Sequence, residues 1–292
     1  MDKVVNSAAP KKMHTNHSPG VIFVKFLQYL VLVAGLIVVF LPIIVVLFGA
    51  FKTSKEVFNT GIFELPKKMM WVNFKTAFID GKVLLGLKNT AIIIVFSCIG
   101  SVITGTMTAF VIQRFNSMLT RTVKAAFLLA TLLPNISMQV TVYQIVNKLG
   151  LVNNMAAPII LYVGTDIISI QIFIQFLNQI SVSLDESGIV DGASYPRIYF
   201  SIILPNLKPA IATVLIIKFV SIYNDFYTPN LYLTQPNQKV VSTALYSFIG
   251  PYGAKWEVIF AGVIIAIIPT LIMFLTLQKF IYSGLVSGAV KE

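Results

Sequence analysis

Six long apolar stretches constrain the fold of this chain more than any other feature of its sequence. A helix needs about 20 consecutive, mostly apolar residues to cross the hydrocarbon core of a bilayer. The six stretches cover roughly residues 26–50, 88–112, 122–146, 155–180, 207–233 and 256–282. The sequence therefore predicts an all-α membrane protein with six transmembrane helices, and an even number of spans places both termini on one side.

The composition agrees with a membrane protein and excludes two other classes. Of the 292 residues, 57% are hydrophobic and 11% are charged, whereas soluble domains carry roughly 25% charged residues. Intrinsic disorder of the bulk is excluded, because disorder requires low hydrophobicity and high charge. The net charge of +11 comes from cations that are scattered between the apolar stretches, as cations that flank membrane spans are. We therefore expect contact with a lipid bilayer and none with nucleic acid.

The sequence divides into a short polar N-terminal tail and a long apolar part. Residues 1–20 are polar and predict a disordered tail, and residues 21–292 predict one transmembrane domain. The first apolar stretch is about twice as long as the apolar region of a secretory signal, so we interpret it as an uncleaved span. Cations are almost evenly divided between the two sides, so the positive-inside rule does not decide the orientation.

The connection between the fourth and fifth stretches, residues 182–205, carries the most specific pattern. Ser183 followed by Glu186 predicts a capping box at the start of a helix. Gly192 predicts the end of that helix, and Pro196 the start of a second one. A helix of about two turns is marginal alone, so it needs a partner surface. Helix-in-groove docking is a common solution.

The same loop matches a known family pattern. From Glu186 it reads Glu-Ser-Gly, three residues, Gly192, nine residues, Ile202, one residue and Leu204-Pro205. This spacing resembles the EAA loop of the permeases of binding-protein-dependent ABC importers, in which Glu-Ala-Ala opens the pattern. Ser187 and Gly188 replace the two alanines; both are small, but glycine lowers helix stability by up to about 1 kcal/mol.

Further matches extend the resemblance to about residues 20–292. It is strongest to the carbohydrate branch, and within it to the smaller permease of maltose-type transporters. The matching segments are Asn89-Thr90, Leu149-Gly150-Leu151, Tyr223-Asn224-Asp225-Phe226 and residues 284–291. That branch usually carries Trp where this chain has Tyr223.

The resemblance implies a fold, a location and partners. The fold would be that of a type I ABC importer permease in the cell membrane, with alternating access and both termini cytoplasmic. The partners would be a second homologous permease, two ATPase subunits that hold ATP and Mg, an extracellular solute-binding protein, and a sugar or oligosaccharide. The loop helix, residues 184–192, would be the coupling helix on the ATPase. Its coupling residues would be Leu184, Asp185, Glu186, Ser187, Gly188, Asp191 and Gly192.

The sequence lacks the chemistry of an enzyme. It contains no Gly-x-x-x-x-Gly-Lys-Ser/Thr phosphate loop, so energy from ATP has to arrive through another subunit. It shows no metal-ligand spacing and no nucleophile with a base, so we expect no cofactor on this chain. One alternative is an importer of the same fold for another solute, such as glycerol phosphate or a peptide. A more distant alternative is an ion-coupled secondary transporter, which would show paired repeats with broken helices.

Ionisable residues inside the predicted spans are candidate functional residues. Lys218 and Asp225 lie seven residues apart, on one face of the fifth span. One interpretation is that Lys218, Tyr223, Asn224 and Asp225 line the substrate pathway. The other is that Lys218 pairs with an acid of a neighbouring helix, while Asn224 and Asp225 brace the fifth span. Asp166, in the fourth span, is a third candidate.

Two further features have simpler interpretations. Ser97, Ser101, Gly105 and Ala109 recur at intervals of four, which predicts a small-residue face for close helix packing. The loop after the fifth span contains Pro251, Tyr252 and Gly253. By resemblance, this loop would reach toward the solute-binding protein; otherwise it is a plain turn.

Overall fold

The computed structural model describes residues 19–132, 135–164, 166–250 and 253–289, and these are mostly helical. A π-helical segment spans Tyr199–Ile203, and a 3-10 turn spans Leu245–Phe248. Strands β1 (Ile249–Gly250) and β2 (Gly253–Ala254) pair antiparallel, with Ile249 opposite Ala254. The helices are α1 Pro19–Ala50, α2 Ser54–Asn59, α3 Val72–Ile79, α4 Val83–Arg114, α5 Met118–Thr131, α6 Asn135–Lys148, α7 Ala156–Gly164, α8 Ile167–Leu177, α9 Ser183–Val190, α10 Tyr195–Ile198, α11 Leu204–Asn206, α12 Lys208–Asn224, α13 Tyr227–Tyr232, α14 Val241–Ala244 and α15 Trp256–Ala289.

Three of the described helices are long and apolar enough to cross a membrane. The qualifying segments are Ile22–Ala50 of α1, Val83–Arg114 of α4 and Trp256–Thr276 of α15. They coincide with the first, second and sixth predicted spans. Two bent pairs raise the number to five if each is one span: α7 with α8, bent by 41°, and Tyr195–Asn206 with α12, bent by 70°.

The remaining predicted spans differ from single straight helices. The third, 122–146, falls on α5 and α6, which have 14 residues each; residues 133 and 134 lie outside the described ranges. The fifth, 207–233, is interrupted after Asn224, because the Asp225 backbone is extended and its carboxylate accepts the Thr228 N–H of α13 at 3.1 Å. The count of six spans stays a prediction. Residues 1–18 of the predicted tail lie outside the described residues, and α1 already begins at Pro19.

Helix α4 is the element against which α7, α8, α12 and α14 pack. These contacts run along its 32 residues. The predicted small-residue face is buried inside this chain. At Gly105 an added Cβ would lie 2.9 Å from the Phe173 ring of α8, so the absence of a side chain permits the close approach of α8. The residues of this face, all buried, are Ser97, Ser101, Gly105 and Ala109.

Side chains near the start of α4 hold the loop that leads into α14. Asn89 donates from its amide nitrogen to the carbonyl oxygens of Asn237, at 3.1 Å, and Lys239, at 2.9 Å. The Thr90 hydroxyl accepts the Val241 N–H at 3.1 Å. An added Cβ at Gly86 would lie 3.1 Å from the same Val241 nitrogen. We call this set of contacts the α4–α14 clamp. It provides partners for the backbone groups of this loop, including the N–H of buried Val241.

Short helices cover the end of α1. Asn73 of α3 donates to the carbonyl oxygens of Ala50 and Lys52, both at 2.9 Å. These carbonyl groups lie at and just after the C-terminus of α1, where a helix leaves carbonyl oxygens without partners. Thr53 caps α2 in a capping box with Glu56. Hydrogen bonds from the Thr53 backbone and hydroxyl lower the pKa of the Glu56 carboxyl. The Glu56 carboxylate is therefore ionised at neutral pH. The stability that its hydrogen bonds give to the start of α2 is lost as the pH falls through that lowered pKa.

The α4–α14 clamp predicts the outcome of Asn89→Leu. The change removes the donor of two loop carbonyl groups, one on exposed Asn237 and one on half-buried Lys239. Because water can reach them in part, the expected cost is about 1 kcal/mol, the lower end for an unpaired polar group. We expect a lower midpoint of thermal unfolding in detergent and faster proteolysis within residues 233–240. Asn59→Leu, at an exposed position of α2, is the matched control. Equal midpoints for the two variants would refute the clamp.

Candidate functional site

Helix α9 lies in the loop that sequence analysis singled out, and its C-terminus matches the prediction. Gly192 has a φ of +78°, a conformation that favours glycine. The Ala193 N–H donates to the Gly188 carbonyl oxygen and the Gly192 N–H to that of Ile189, both at 2.9 Å. These two bonds form a Schellman motif. The prediction that Gly192 terminates the helix is confirmed.

The start of α9 differs from the prediction, and the predicted capping box at Ser183 is wrong. The N-cap is Val182, with no side-chain hydrogen bond at the cap. Ser183 is already helical, and its N–H donates to the Ser181 hydroxyl at 3.3 Å instead of to Glu186. Glu186 is exposed, and among the described residues its carboxylate has no hydrogen-bond or ion-pair partner.

The seven predicted coupling residues divide between two faces of α9. Asp185 and Gly188 point inward and are buried. At Gly188 an added Cβ would lie 3.1 Å from Ile198, so the small residue lets α9 pack on the returning chain. The other five, which are exposed, are Leu184, Glu186, Ser187, Asp191 and Gly192. The exposed side also carries Ile189 and Val190, and Val190 is 87% exposed.

Asp185 pairs with a cation at the end of α4. Its Oδ2 lies 2.5 Å from Nε of Arg114, and each side chain is less than one tenth exposed. Arg114 also donates from Nη2 to the Ile180 carbonyl oxygen at 3.1 Å. Arg114 ends α4 and Asp185 lies in the first turn of α9. Each helix dipole therefore favours the charge that it holds.

The chain runs from α9 to α12 through a bent segment. Pro196 lies in the first turn of α10, as predicted. Pro205 and Pro209 flank the 70° bend before α12, because a proline removes a backbone donor and ends regular helix. The Tyr199 hydroxyl contacts that of Thr106 on α4 at 2.7 Å. Buried side chains of α4, α8 and α12 form the surrounding core with Ile198, Tyr199 and Ile203.

Lys218 is paired inside the protein. Its Nζ lies 3.0 Å from Oδ2 of Asp166 and donates to the Tyr162 carbonyl oxygen. Asp166 also caps α8 by accepting the Ser169 N–H at 3.3 Å. The Tyr162 hydroxyl donates to Asp225 at 2.8 Å. Lys218 and Asp225 thus face α7 and the start of α8, as the bracing interpretation expects.

Tyr223 and Asn224 are placed differently from Lys218 and Asp225. Both line a cleft of about 610 Å³ between α12, α14 and α15, which we call the α12–α15 cleft. The Tyr223 hydroxyl donates to the Ala266 carbonyl oxygen of α15 at 2.6 Å. Asn224 donates to Val220 within its own helix at 3.0 Å. The described lining residues with polar side chains are Tyr223, Asn224, Ser242 and Thr270.

The predicted binding-protein loop is a short hairpin. Strands β1 and β2 pair just before α15, and Gly253 has a φ of +129°. The Lys255 N–H donates to the Phe248 carbonyl oxygen at 3.1 Å and closes the turn. The other two residues named for this loop, Pro251 and Tyr252, lie outside the described residues.

Sequence reasoning left two buried ion pairs unassigned. Arg114 was not singled out, and Asp166 was named without its partner Lys218. The available signal was the position of each cation in or beside a long apolar helix, where an unpaired charge is unfavourable. That signal indicates that a partner exists, but it does not identify the partner.

The family is established by comparison with known proteins. Residues 91–286 match the family described as the inner membrane component of binding-protein-dependent transport systems. The chain therefore belongs to this family of membrane transport permeases, which are not enzymes.

Two curated relatives cover nearly the whole chain. One is the "Probable starch degradation products transport system permease protein AmyC" of Thermoanaerobacterium thermosulfurigenes, 30% identical over 91% of this chain and 97% of its own length. The other is the "Multiple sugar-binding transport system permease protein MsmG" of Streptococcus mutans, 31% identical over 91% of this chain and 97% of its own length.

A solved structure shares the fold. It is titled "Crystal structure of a bacterial ABC transporter involved in the import of the acidic polysaccharide alginate". The TM-score is 0.78 at 19% identity, and the match covers 90% of this chain and 98% of that one. This similarity shows an ABC importer permease fold.

The Lys218–Asp166 pair predicts how stability responds to charge removal. Lys218→Met leaves a buried carboxylate without its cation, which costs about 3–5 kcal/mol. Lys208→Met, at an exposed position of the same helix, should cost less than about 0.5 kcal/mol. Thermal unfolding in detergent measures both. We expect Lys218→Met/Asp166→Leu to regain most of the loss; a double variant as unstable as the sum of its singles would contradict the pairing.

Proposed function

We propose that this chain is one of two permease subunits of an ATP-driven carbohydrate importer. The observation that carries the proposal is the family match, together with relatives whose names specify starch degradation products and multiple sugars. A second permease, two ATPase subunits and an extracellular solute-binding protein would complete the transporter. ATP and Mg would be bound by the ATPase subunits.

Six spans and cytoplasmic termini are part of this proposal. The third span would be divided between α5 and α6, and the fourth between α7 and α8. Helix α9 would lie on the cytoplasmic side, at the end of α4 that carries Arg114. The hairpin at Gly253 would then lie outside, at the start of α15, where it is available to the solute-binding protein together with Pro251 and Tyr252.

Helix α9 would dock on the ATPase through its exposed face. Leu184, Ile189 and Val190 provide an apolar surface on an element that lies between membrane helices. Glu186 adds a carboxylate that is free among the described residues. An exposed apolar patch with a charged rim is typical of a protein-binding surface. Asp185 and Gly188 would support this face from behind.

The α12–α15 cleft would form part of the substrate pathway on this chain. None of its described lining residues is charged, and the hydroxyl and amide groups of Tyr223, Asn224, Ser242 and Thr270 suit the hydroxyl groups of a neutral sugar. A phosphate ester would call for a cation in this lining. Lys218 and Asp225 would brace α12 instead of contacting substrate, because neither lines the cleft and both bind groups of α7 or the start of α8.

Reconstitution of the whole transporter in proteoliposomes tests the function. We expect uptake of a radiolabelled neutral oligosaccharide to require ATP on the ATPase side and the solute-binding protein on the opposite side. An ionophore that collapses ion gradients should leave uptake unchanged. Uptake that is independent of ATP and abolished by the ionophore would instead establish an ion-coupled transporter.

Glu186→Lys tests the docking face of α9. Reversing an exposed charge at an interface weakens association without disturbing the fold. We expect sugar uptake to fall about tenfold or more at an unchanged midpoint of thermal unfolding. Glu64→Lys, in the exposed loop between α2 and α3, is the matched control and should transport normally. Wild-type uptake by the Glu186 variant would remove this residue from the interface.

A further inference from the structure

The C-terminal end of α4 and the residue that follows it contact the chain before, within and after α9. Before α9, Gln113 donates to the Asn178 side chain and Arg114 to the Ile180 carbonyl oxygen. Within α9, Arg114 pairs with Asp185. After α9, the ring of Phe115 meets that of Tyr195 edge-on, with centroids 5.0 Å apart. Helix α9 is therefore attached to α4 as well as to its neighbours in sequence.

The two adjacent acids of α9 occupy opposite environments. The Asp185 side chain is 9% exposed and paired, so it is not available to another subunit. Glu186 is exposed. A buried ion pair is held strongly, since breaking it leaves an uncompensated charge in a low dielectric. Asp185 is therefore suited to fix the position of α9, and Glu186 to contact a partner.

The opposite end of α4 reaches the wall of the α12–α15 cleft. The α4–α14 clamp holds the loop into α14 through Asn89 and Thr90. Val241 and Ser242, at the start of α14, line the cleft. One continuous 32-residue helix thus joins α9 to this wall. A continuous helix with fixed ends can carry a displacement over its whole length.

We propose that the Arg114–Asp185 pair makes α9 and α4 a single mechanical unit, so that displacement of α9 by the ATPase moves the α14 wall of the cleft. The inference rests on the proposed function. Arg114 and Asp185 are positioning residues, because they act through α4 and touch neither substrate nor nucleotide. Removing the pair should separate ATP hydrolysis from sugar movement while the docking face of α9 stays intact.

The test measures sugar transported per ATP hydrolysed by the reconstituted complex. With Asp185→Asn we expect ATP hydrolysis within about twofold of wild type and about a tenfold lower ratio, in the range of couplings found along packed networks. Asp185→Glu retains the charge and should restore most of the ratio. Asp80→Asn, an exposed acid after α3, should behave as wild type.

Each outcome decides between coupling and another role. A wild-type ratio with Asp185→Asn would overturn the proposal, as would hydrolysis and transport that fall in parallel. If Asp185→Asn does not assemble, Arg114→Gln is measured instead, because it removes the cation of the pair and keeps a long polar side chain. An unchanged ratio with Arg114→Gln would overturn the proposal, and a lowered ratio supports it. A wild-type complex that fails to transport sugar with ATP would refute the proposed function itself.

Discussion

The close packing of other helices on α4 is the constraint on which the rest of this structure depends. Small residues on one face of α4 let α8 approach until the Phe173 ring occupies the space beside Gly105. The same helix receives α7, α12 and α14. Within a bilayer, helices associate through such packing and through polar contacts, because lipid tails are as apolar as the side chains. Loss of contact along α4 would therefore separate α9 from the cleft.

Three of the four residues in the two ion pairs described above lie at helix ends or breaks. Arg114 ends α4 and pairs with Asp185 in the first turn of α9. Asp166 begins α8 after the bend that follows α7 and pairs with Lys218 of α12. At such points backbone groups lack helical partners, so a charged side chain serves both a free backbone group and an opposite charge. Both pairs join segments that are far apart in the sequence.

Much of the fold was predictable because membrane helices depend on local composition. The spans that became α1, α4 and α15 required only length and hydropathy. The end of α9 at Gly192 and the start of α10 at Pro196 followed from single residues with special backbones. The capping box at Ser183 was predicted wrongly, since Ser181 provides the oxygen and the helix starts one residue earlier.

The partners of the candidate residues were not predictable in the same way. Spacing placed Lys218 and Asp225 on one face of a helix but did not identify Asp166 or Tyr162 opposite them. The sequence also grouped Tyr223 and Asn224 with Lys218 and Asp225. In the structure, however, Tyr223 and Asn224 line the cleft beside α15. Asp185 and Glu186 are adjacent acids that the sequence does not distinguish. Their environments differ because the fold places Arg114 beside Asp185 and leaves Glu186 exposed.

The most direct test of the central claim is a pair of structures of the assembled transporter, one without nucleotide and one with ATP bound. We predict that Arg114 and Asp185 stay within about 4 Å in both, the limit for an ion pair, and that α9 and the end of α4 superpose as one body. A broken pair in one state, with α9 displaced relative to α4, would contradict the account.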